Sequence, residues 1–266
     1  MLLLEPDSKL IKAVAVISIA AVCSSIAASN ALLEEFPSLP NRATRVRQQL
    51  RLHDKHSKEV AAVEISEGRA DSIDSGARIW ESGRALSNWM VEHLEPGRRI
   101  LELGAGTGIV GLTAAAVGGA QSVVLTDQPD MVPLLEQNIA SNNLRATARA
   151  APLLWGCDRD EAMEALNGVK ARGDDPASSS SSSIQQSPIF DVVCGSDILY
   201  SPENFPLLFE TLCQVCTPST TEVLLAYPRR FTEDLFFDTA SDCFEISSEE
   251  EIEPNVFLTK MRMTSS

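Results

Sequence analysis

Gly104-Ala105-Gly106-Thr107-Gly108 is a stretch in which no bulky side chain obstructs the backbone, and it follows at once on the apolar residues Ile100, Leu101 and Leu103. A short apolar run of that kind suits a strand buried on both faces. A turn of small residues at its carboxyl end leaves main-chain N–H groups open to a ligand. A second apolar run, 122–126, ends in Asp127. As the neighbouring strand it would bring the Asp127 carboxylate into the same crevice, where ribose hydroxyls are its natural partners. A third run, 189–196, ends in another carboxylate, Asp197, and Tyr200 follows shortly after it.

The glycine spacing bears on which nucleoside cofactor is held. Gly106, Gly108 and Gly111 satisfy G-x-G-x-x-G, the pattern of dinucleotide sites. In those sites the first glycine follows the strand directly, and counting from Gly104 puts Ile109 where the third glycine is needed. Glu102, two residues before the turn, would repel a pyrophosphate. The same carboxylate suits the amino and sulfonium groups of S-adenosyl-L-methionine, and the register favours that cofactor. Trp155 closes the run 148–155 at the same rim, where an indole can stack on adenine. Trp80 has two readings, a core tryptophan or an aromatic wall over the cofactor.

The elements that position these residues alternate along the chain. Residues 60–65 read as a strand, and Leu86, Trp89, Met90 and Leu94 as a helix. Ile109, Val110 and Leu112 open a helix that ends near 118–119, and 122–126 is the second strand of the glycine unit. A helix over 129–143, a strand over 148–155, a strand over 189–197, a helix over 205–216, a strand over 222–227 and a helix over 232–240 follow. Strands near 244–246 and 256–263 close the chain, and with no helix between them they must pair antiparallel. The fold class is therefore α/β, a Rossmann-like sheet with helices on both faces.

Composition sets the outer bounds. A chain of 266 residues supports one substantial core, read as a domain over 59–266 behind an N-terminal extension over 1–58. Within the extension, 10–28 is apolar but lacks the basic flank of a secretory signal, so a retained helix is favoured, with an organelle-targeting segment as the alternative to it. Residues 37–58, rich in Arg and Lys, read as a solvated helical face. The polar stretch 157–188 contains the serine run 178–183 and is expected to be a disordered insertion. The formal net charge of −15 disfavours nucleic acid as a partner and suits basic protein surfaces, or simply keeps the chain soluble. Of the six cysteines only Cys213 and Cys216 form C-x-x-C, without a second pair to complete a zinc site, so both read as reduced packing residues. His53, His56 and His93 lie away from the motifs, and no metal is expected.

RIWESG at 78–83, ILELGAGTGIVGL at 100–112, VVLTD at 123–127, the Leu154-Trp155 pair and FDVVCGSDILY at 190–200 together resemble the family-16 protein-lysine methyltransferases. Members of that family act on chaperones, AAA ATPases and translation elongation factors, and the resemblance spans roughly 60–263. It implies a seven-strand class I methyltransferase sheet whose last strand is antiparallel, and S-adenosyl-L-methionine as cofactor. It places the cofactor contacts on Trp80, Gly104, Ala105, Gly106, Asp127, Trp155 and Ser196, and the charge argument above adds Glu102 to them. Asp197 and Tyr200 become the D-x-x-Y pair facing a target lysine. Relatives often carry alanine at the place of Ser196, and the part from Arg229 onward matches weakly. The pair makes physical sense, because a lysine ammonium with a resting pKa of about 10.4 must lose a proton before it can attack a methyl group.

A different acceptor, whether protein histidine, small molecule or RNA, would share fold and cofactor. SDILY lacks the two prolines that mark amide and base methylation. A noncatalytic module on the same fold is the remaining alternative, against which the intact Gly104, Gly106, Asp127 and Asp197 speak. The expectation is a cytoplasmic monomer that acts on a lysine-bearing protein and makes no stable membrane insertion.

Overall fold

A computed structural model describes residues 47–53, 56, 58–68, 75–117, 119–167 and 190–265. Its centre is a mixed sheet in the order β5-β4-β3-β6-β7-β9-β8, made by β3 (Arg99–Glu102), β4 (Ser122–Asp127), β5 (Ala148–Pro152), β6 (Val192–Ser196), β7 (Glu222–Pro228), β8 (Phe244–Glu253) and β9 (Val256–Met263). The five strands from β3 to β7 run parallel, whereas β9 is antiparallel to both β7 and β8. The expected antiparallel closure is therefore present.

Successive strand residues feed two different cores, as the period of two requires. Leu101, Val124, Val193, Val223 and Leu225 pack into one, with Leu166 of α4 (Arg159–Asn167), Leu208 and Leu212 of α5 (Phe205–Val215) and Phe236 of α6 (Glu233–Ala240). Ile100, Val123, Leu125, Val192 and Leu224 pack into the other. There they meet Leu86 and Met90 of α1 (Glu81–His93), Val110 and Leu112 of α2 (Ile109–Ala116) and Leu135 of α3 (Val132–Ser141). Runs that are apolar at nearly every position are the signature of this double burial.

The structure corrects the sequence reading in three places. The basic stretch expected as a helical face is, over Arg47–His53, a strand, β1, paired antiparallel with β2 (Glu59–Ser66) in a separate hairpin. Arg47 and Arg51 face Glu64 and Glu59 across it, and Leu52 is buried. The boundary placed at 58/59 thus falls inside a hairpin. Helix α4 occupies the first part of the stretch expected to be disordered. Asp158 Oδ1 accepts the Glu161 N–H at its start, and Ala162 and Leu166, one turn apart, are buried on the sheet. The third strand stops at Pro152, so Trp155 lies in the turn beyond it. The apolar segment 10–28 and the serine run 178–183 lie outside the described residues. Among the described residues no helix is long and apolar enough to cross a membrane.

β8 is one edge of the sheet, and it carries Glu245, Glu249, Glu250, Glu251 and Glu253, all exposed. The other edge, β5, is short and ends in Pro152.

Candidate active site

The chain leaves β3 toward β4 on one side and returns to β6 on the other, so the strand order reverses between β3 and β6. A parallel sheet opens a crevice at the carboxyl ends of its strands at such a reversal. The glycine turn follows β3, Asp127 ends β4, and Asp197 follows β6 directly. Three of the sequence-derived features therefore meet at one rim.

The turn is held open by geometry that only small residues tolerate. Gly104 and Gly106 have φ of 59° and 55°. A Cβ on Gly106 would stand 2.5 Å from the Gly76 carbonyl oxygen, and one on Gly104 would stand 2.8 Å from Ile198 Cγ2 and 3.2 Å from the Trp155 ring. Ala105 donates its N–H to Thr126 O at 2.9 Å, tying the turn to β4. Asp127 Oδ2 accepts the Gly106 N–H at 2.7 Å and its Oδ1 accepts the Gln128 N–H at 2.7 Å, so the half-buried carboxylate is fixed at the mouth of the turn. Behind the turn the buried Asn138 donates to Thr107 O at 2.9 Å and to Ser66 O at 3.1 Å, while its Oδ1 accepts the Ser66 N–H. The second strand of the hairpin is thereby locked to the glycine loop.

Glu102 is placed differently from expectation. It is fully buried beneath the turn, and its Oε2 accepts the Gly111 N–H of α2 at 2.8 Å. Burial pushes its carboxyl pKa up to about 8, against the opposing pull of the Gly111 N–H, and the nearby Asp127 charge adds to the rise. At neutral pH it is mostly a neutral acid that pins the start of the helix. It is not an open carboxylate aimed at a cation, and that part of the argument for the sulfonium cofactor falls away.

Asp197 sits in a left-handed conformation, φ 57°, unusual for a non-glycine residue, and its N–H donates to Ala226 O at 2.8 Å. Its Oδ1 accepts from Arg230 Nη2 at 2.8 Å, and the side chain is 10% exposed. Tyr200 is exposed, away from this contact's hydrogen bonds, and Phe231, next to Arg230, is 78% exposed with φ 68°. Backbone conformations of this kind cluster at ligand sites because the surrounding fold must sustain their cost.

Against known proteins, the description "lysine methyltransferase" attaches to a family model that matches residues 57–168 and 178–242 of this chain. The chain belongs to this lysine methyltransferase family. Among its relatives, EEF1A lysine methyltransferase 3 of Xenopus tropicalis is 27% identical over 169 residues, covering 62% of this chain and 64% of the relative. The chain thus spans just under two thirds of that relative's length. Protein-lysine N-methyltransferase EFM6 of Saccharomyces cerevisiae is 28% identical over 195 residues, covering 66% of this chain and 72% of the relative. Among solved structures, a putative methyltransferase, SMU.776, complexed with SAH, superposes with a TM-score of 0.53 at 10% identity, covering 85% of this chain and 58% of that one. The likeness to it establishes the fold.

In this lysine methyltransferase family member the structure brings Gly104, Ala105, Gly106, Asp127, Trp155, Ser196 and Asp197 to the carboxyl rim. Trp80 precedes α1 and is 45% exposed, so the core-tryptophan reading is wrong for it. The glycine of RIWESG has a packing reason: a Cβ on Gly83 would stand 3.0 Å from Ile109 Cγ2 and 3.3 Å from Ser196 Oγ, so α1 presses closely on the crevice wall. Sequence reasoning missed Arg230, Glu233 and Asn138. Only the first left a signal, since an Arg-Arg pair directly after the apolar run of β7 must emerge at the same rim as Asp127 and Asp197.

Proposed function

We propose that this chain is an S-adenosyl-L-methionine-dependent protein-lysine N-methyltransferase, with the cofactor between the glycine turn and Asp127 and the acceptor amine at Asp197. The observation that carries the reading is the convergence of the glycine turn, Asp127 and Asp197 at the strand-order reversal. The family match, the names of the relatives and the SAH in the neighbouring structure support it.

The residues present fit an adenosyl cofactor. Asp127 offers a fixed carboxylate for the ribose hydroxyls, the turn admits no bulky atom that would block the approach, and the Trp155 ring lies against Gly104 as an apolar wall. Ser196, beside α1, is proposed as a backbone contact, Ala105 as a main-chain wall and Trp80 as a rim contact. When bound, the cofactor supplies an activated methyl group on sulfur. The protein's own work is to hold the amine nitrogen in line with that methyl and to keep water out. Asp197 accepts a hydrogen bond from the amine and orients its lone pair, and Tyr200 lines the entry.

A protein acceptor fits the surface. Leu154, Tyr200 and Phe231 follow the carboxyl ends of β5, β6 and β7 and are all exposed, and Leu235, one turn beyond Phe231, is exposed as well. Apolar side chains left in water around an entry suit a macromolecule better than a small polar substrate. The relatives' names make translation elongation factor 1A the substrate class we propose. We place the catalytic domain's start at β1 rather than at 59. Its cysteines, free thiols throughout the described residues, support the cytoplasm as its compartment, and a monomer is the proposed state.

The test uses recombinant, unmodified elongation factor 1A, labelled cofactor and mass spectrometry of the product. Asp197→Asn keeps the shape and removes the charge. Transfer should fall by orders of magnitude while cofactor affinity, read by calorimetry, changes by less than about threefold, or roughly 0.7 kcal/mol. Loss of cofactor binding in proportion to activity would place Asp197 in the cofactor site instead.

A further inference from the structure

Arg230 reaches Asp197 from the loop between β7 and α6, and several features show that the contact is built into the fold. Both Glu233 carboxylate oxygens accept the Arg230 backbone N–H, at 3.1 and 3.2 Å, and Glu233 is itself buried. This fixes the arginine at the start of α6. The residues on either side of the contact, Asp197 and Phe231, both hold left-handed backbone conformations. The guanidinium is 38% exposed and the carboxylate far less so, which leaves the pair at the rim rather than in the core.

Neighbouring charged groups of the β7–α6 loop and of the segment after β6 are engaged elsewhere among the described residues. Arg229 pairs with Glu233 and Asp234 of α6, at 3.6 and 3.7 Å, and with Glu249 of β8. Glu203, after β6, accepts the Ser201 hydroxyl. Asp197 makes no other side-chain hydrogen bond among the described residues. Arg230 is therefore its resident counter-ion, and the second carboxylate oxygen is left for a ligand.

We infer that Arg230 is a positioning residue that neutralises Asp197 in advance, so that the acceptor lysine is taken up as the free amine rather than as the ammonium ion. This rests on the reading of Asp197 proposed above. A lone carboxylate would stabilise an ammonium and make its proton harder to remove, which works against methyl transfer. With a guanidinium already on the carboxylate, an ammonium would add a second positive charge beside the first, and the neutral amine is the better guest. The proton is shed to water before attack. The amine then donates one N–H to the free Asp197 oxygen, and its lone pair forms the C–N bond while the S–CH3 bond breaks with its electron pair kept on sulfur. A unit charge about 5 Å away, at an effective dielectric between the protein and water values, moves such an equilibrium by about one pH unit.

The experiment compares Arg230→Gln and Arg230→Lys with the parent protein on elongation factor 1A, separating kcat from KM from neutral to alkaline pH. The expected result for Arg230→Gln is an acidic limb of the kcat profile displaced upward by about one pH unit, with KM unchanged or lower. Arg230→Lys should restore the parent's profile. A second readout does not involve turnover: n-butylammonium, titrated by NMR into the protein loaded with SAH, should bind about tenfold more tightly to Arg230→Gln. Arg230→Met, similar in length, serves as the neutral variant if the Gln variant fails to fold. Asp197→Asn is run in parallel. Full transfer by Asp197→Asn overturns the acceptor-site reading, and this inference with it. An inactive Asp197→Asn beside a neutral Arg230 variant whose pH limb and n-butylammonium affinity do not move overturns the inference alone.

Discussion

Glu102 gives the fold a pH dependence that can be worked out from its surroundings. Its carboxyl is raised from 4.5 to about 8, first by burial, against the Gly111 hydrogen bond, with the Asp127 charge adding to the rise. Between those values the folded protein keeps a proton that the unfolded chain has released. The contribution to stability is therefore complete below pH 4.5 and is lost as pH rises through the folded value. Each pH unit inside the window removes about 1.4 kcal/mol, so the whole window is worth roughly 5 kcal/mol. Glu102→Gln keeps the shape and cannot ionise. Chemical denaturation of parent and variant at matched pH should show the parent's advantage shrinking by about 1.4 kcal/mol per pH unit from mildly acidic conditions, then levelling off above pH 8. Parallel stability curves across that range would refute the reasoning, because they would mean that Glu102 ionises in the fold as readily as in water.

Asp127→Ala should weaken S-adenosyl-L-methionine binding tenfold or more in calorimetry, since it deletes charge-assisted hydrogen bonds worth about 1.5–3 kcal/mol each and frees the Gly106 N–H. Unchanged affinity would remove Asp127 from the ribose site. Gly106→Ala puts a methyl group 2.5 Å from the Gly76 carbonyl oxygen in a left-handed conformation, and should cost about 1–3 kcal/mol in thermal denaturation together with cofactor affinity. A variant with the parent's stability and affinity would show that the turn at Gly76 yields freely.

The sheet was largely legible because burial on both faces leaves nearly continuous apolar runs, and the acids that end them stand out by contrast. Asp127 and Asp197 could be placed from sequence for that reason alone. Arg47 and Arg51 could not be assigned by charge spacing, because residues four apart share a face in a helix and in a strand alike. The decision lay with Leu50 and Leu52, whose alternation is short and surrounded by charge. Helix α4 has only Ala162 and Leu166 as buried anchors, and the adjoining polar run hid them. Glu102 was close to the turn in sequence but two residues from Ile100, which puts both on the face toward α2 and away from the crevice. Arg230 stands 33 residues from Asp197, a pairing that exists only once β6 and β7 lie side by side.

The row of glutamates on β8 bears on how this protein lives among copies of itself. An edge strand presents unpaired N–H and C=O groups that invite another strand to add to the sheet. Here the invitation is withdrawn by electrostatic repulsion, because a second copy of β8 approaching the first would bring Glu245, Glu251 and Glu253 against their own likenesses, while Glu249 and Glu250 are held by Arg229 and Lys260. The opposite edge is guarded by brevity and by Pro152, which has no N–H to offer. One edge is thus protected by its shortness and a missing donor, and the other by charge. Salt, which screens exposed charges, would weaken the protection of the β8 side first.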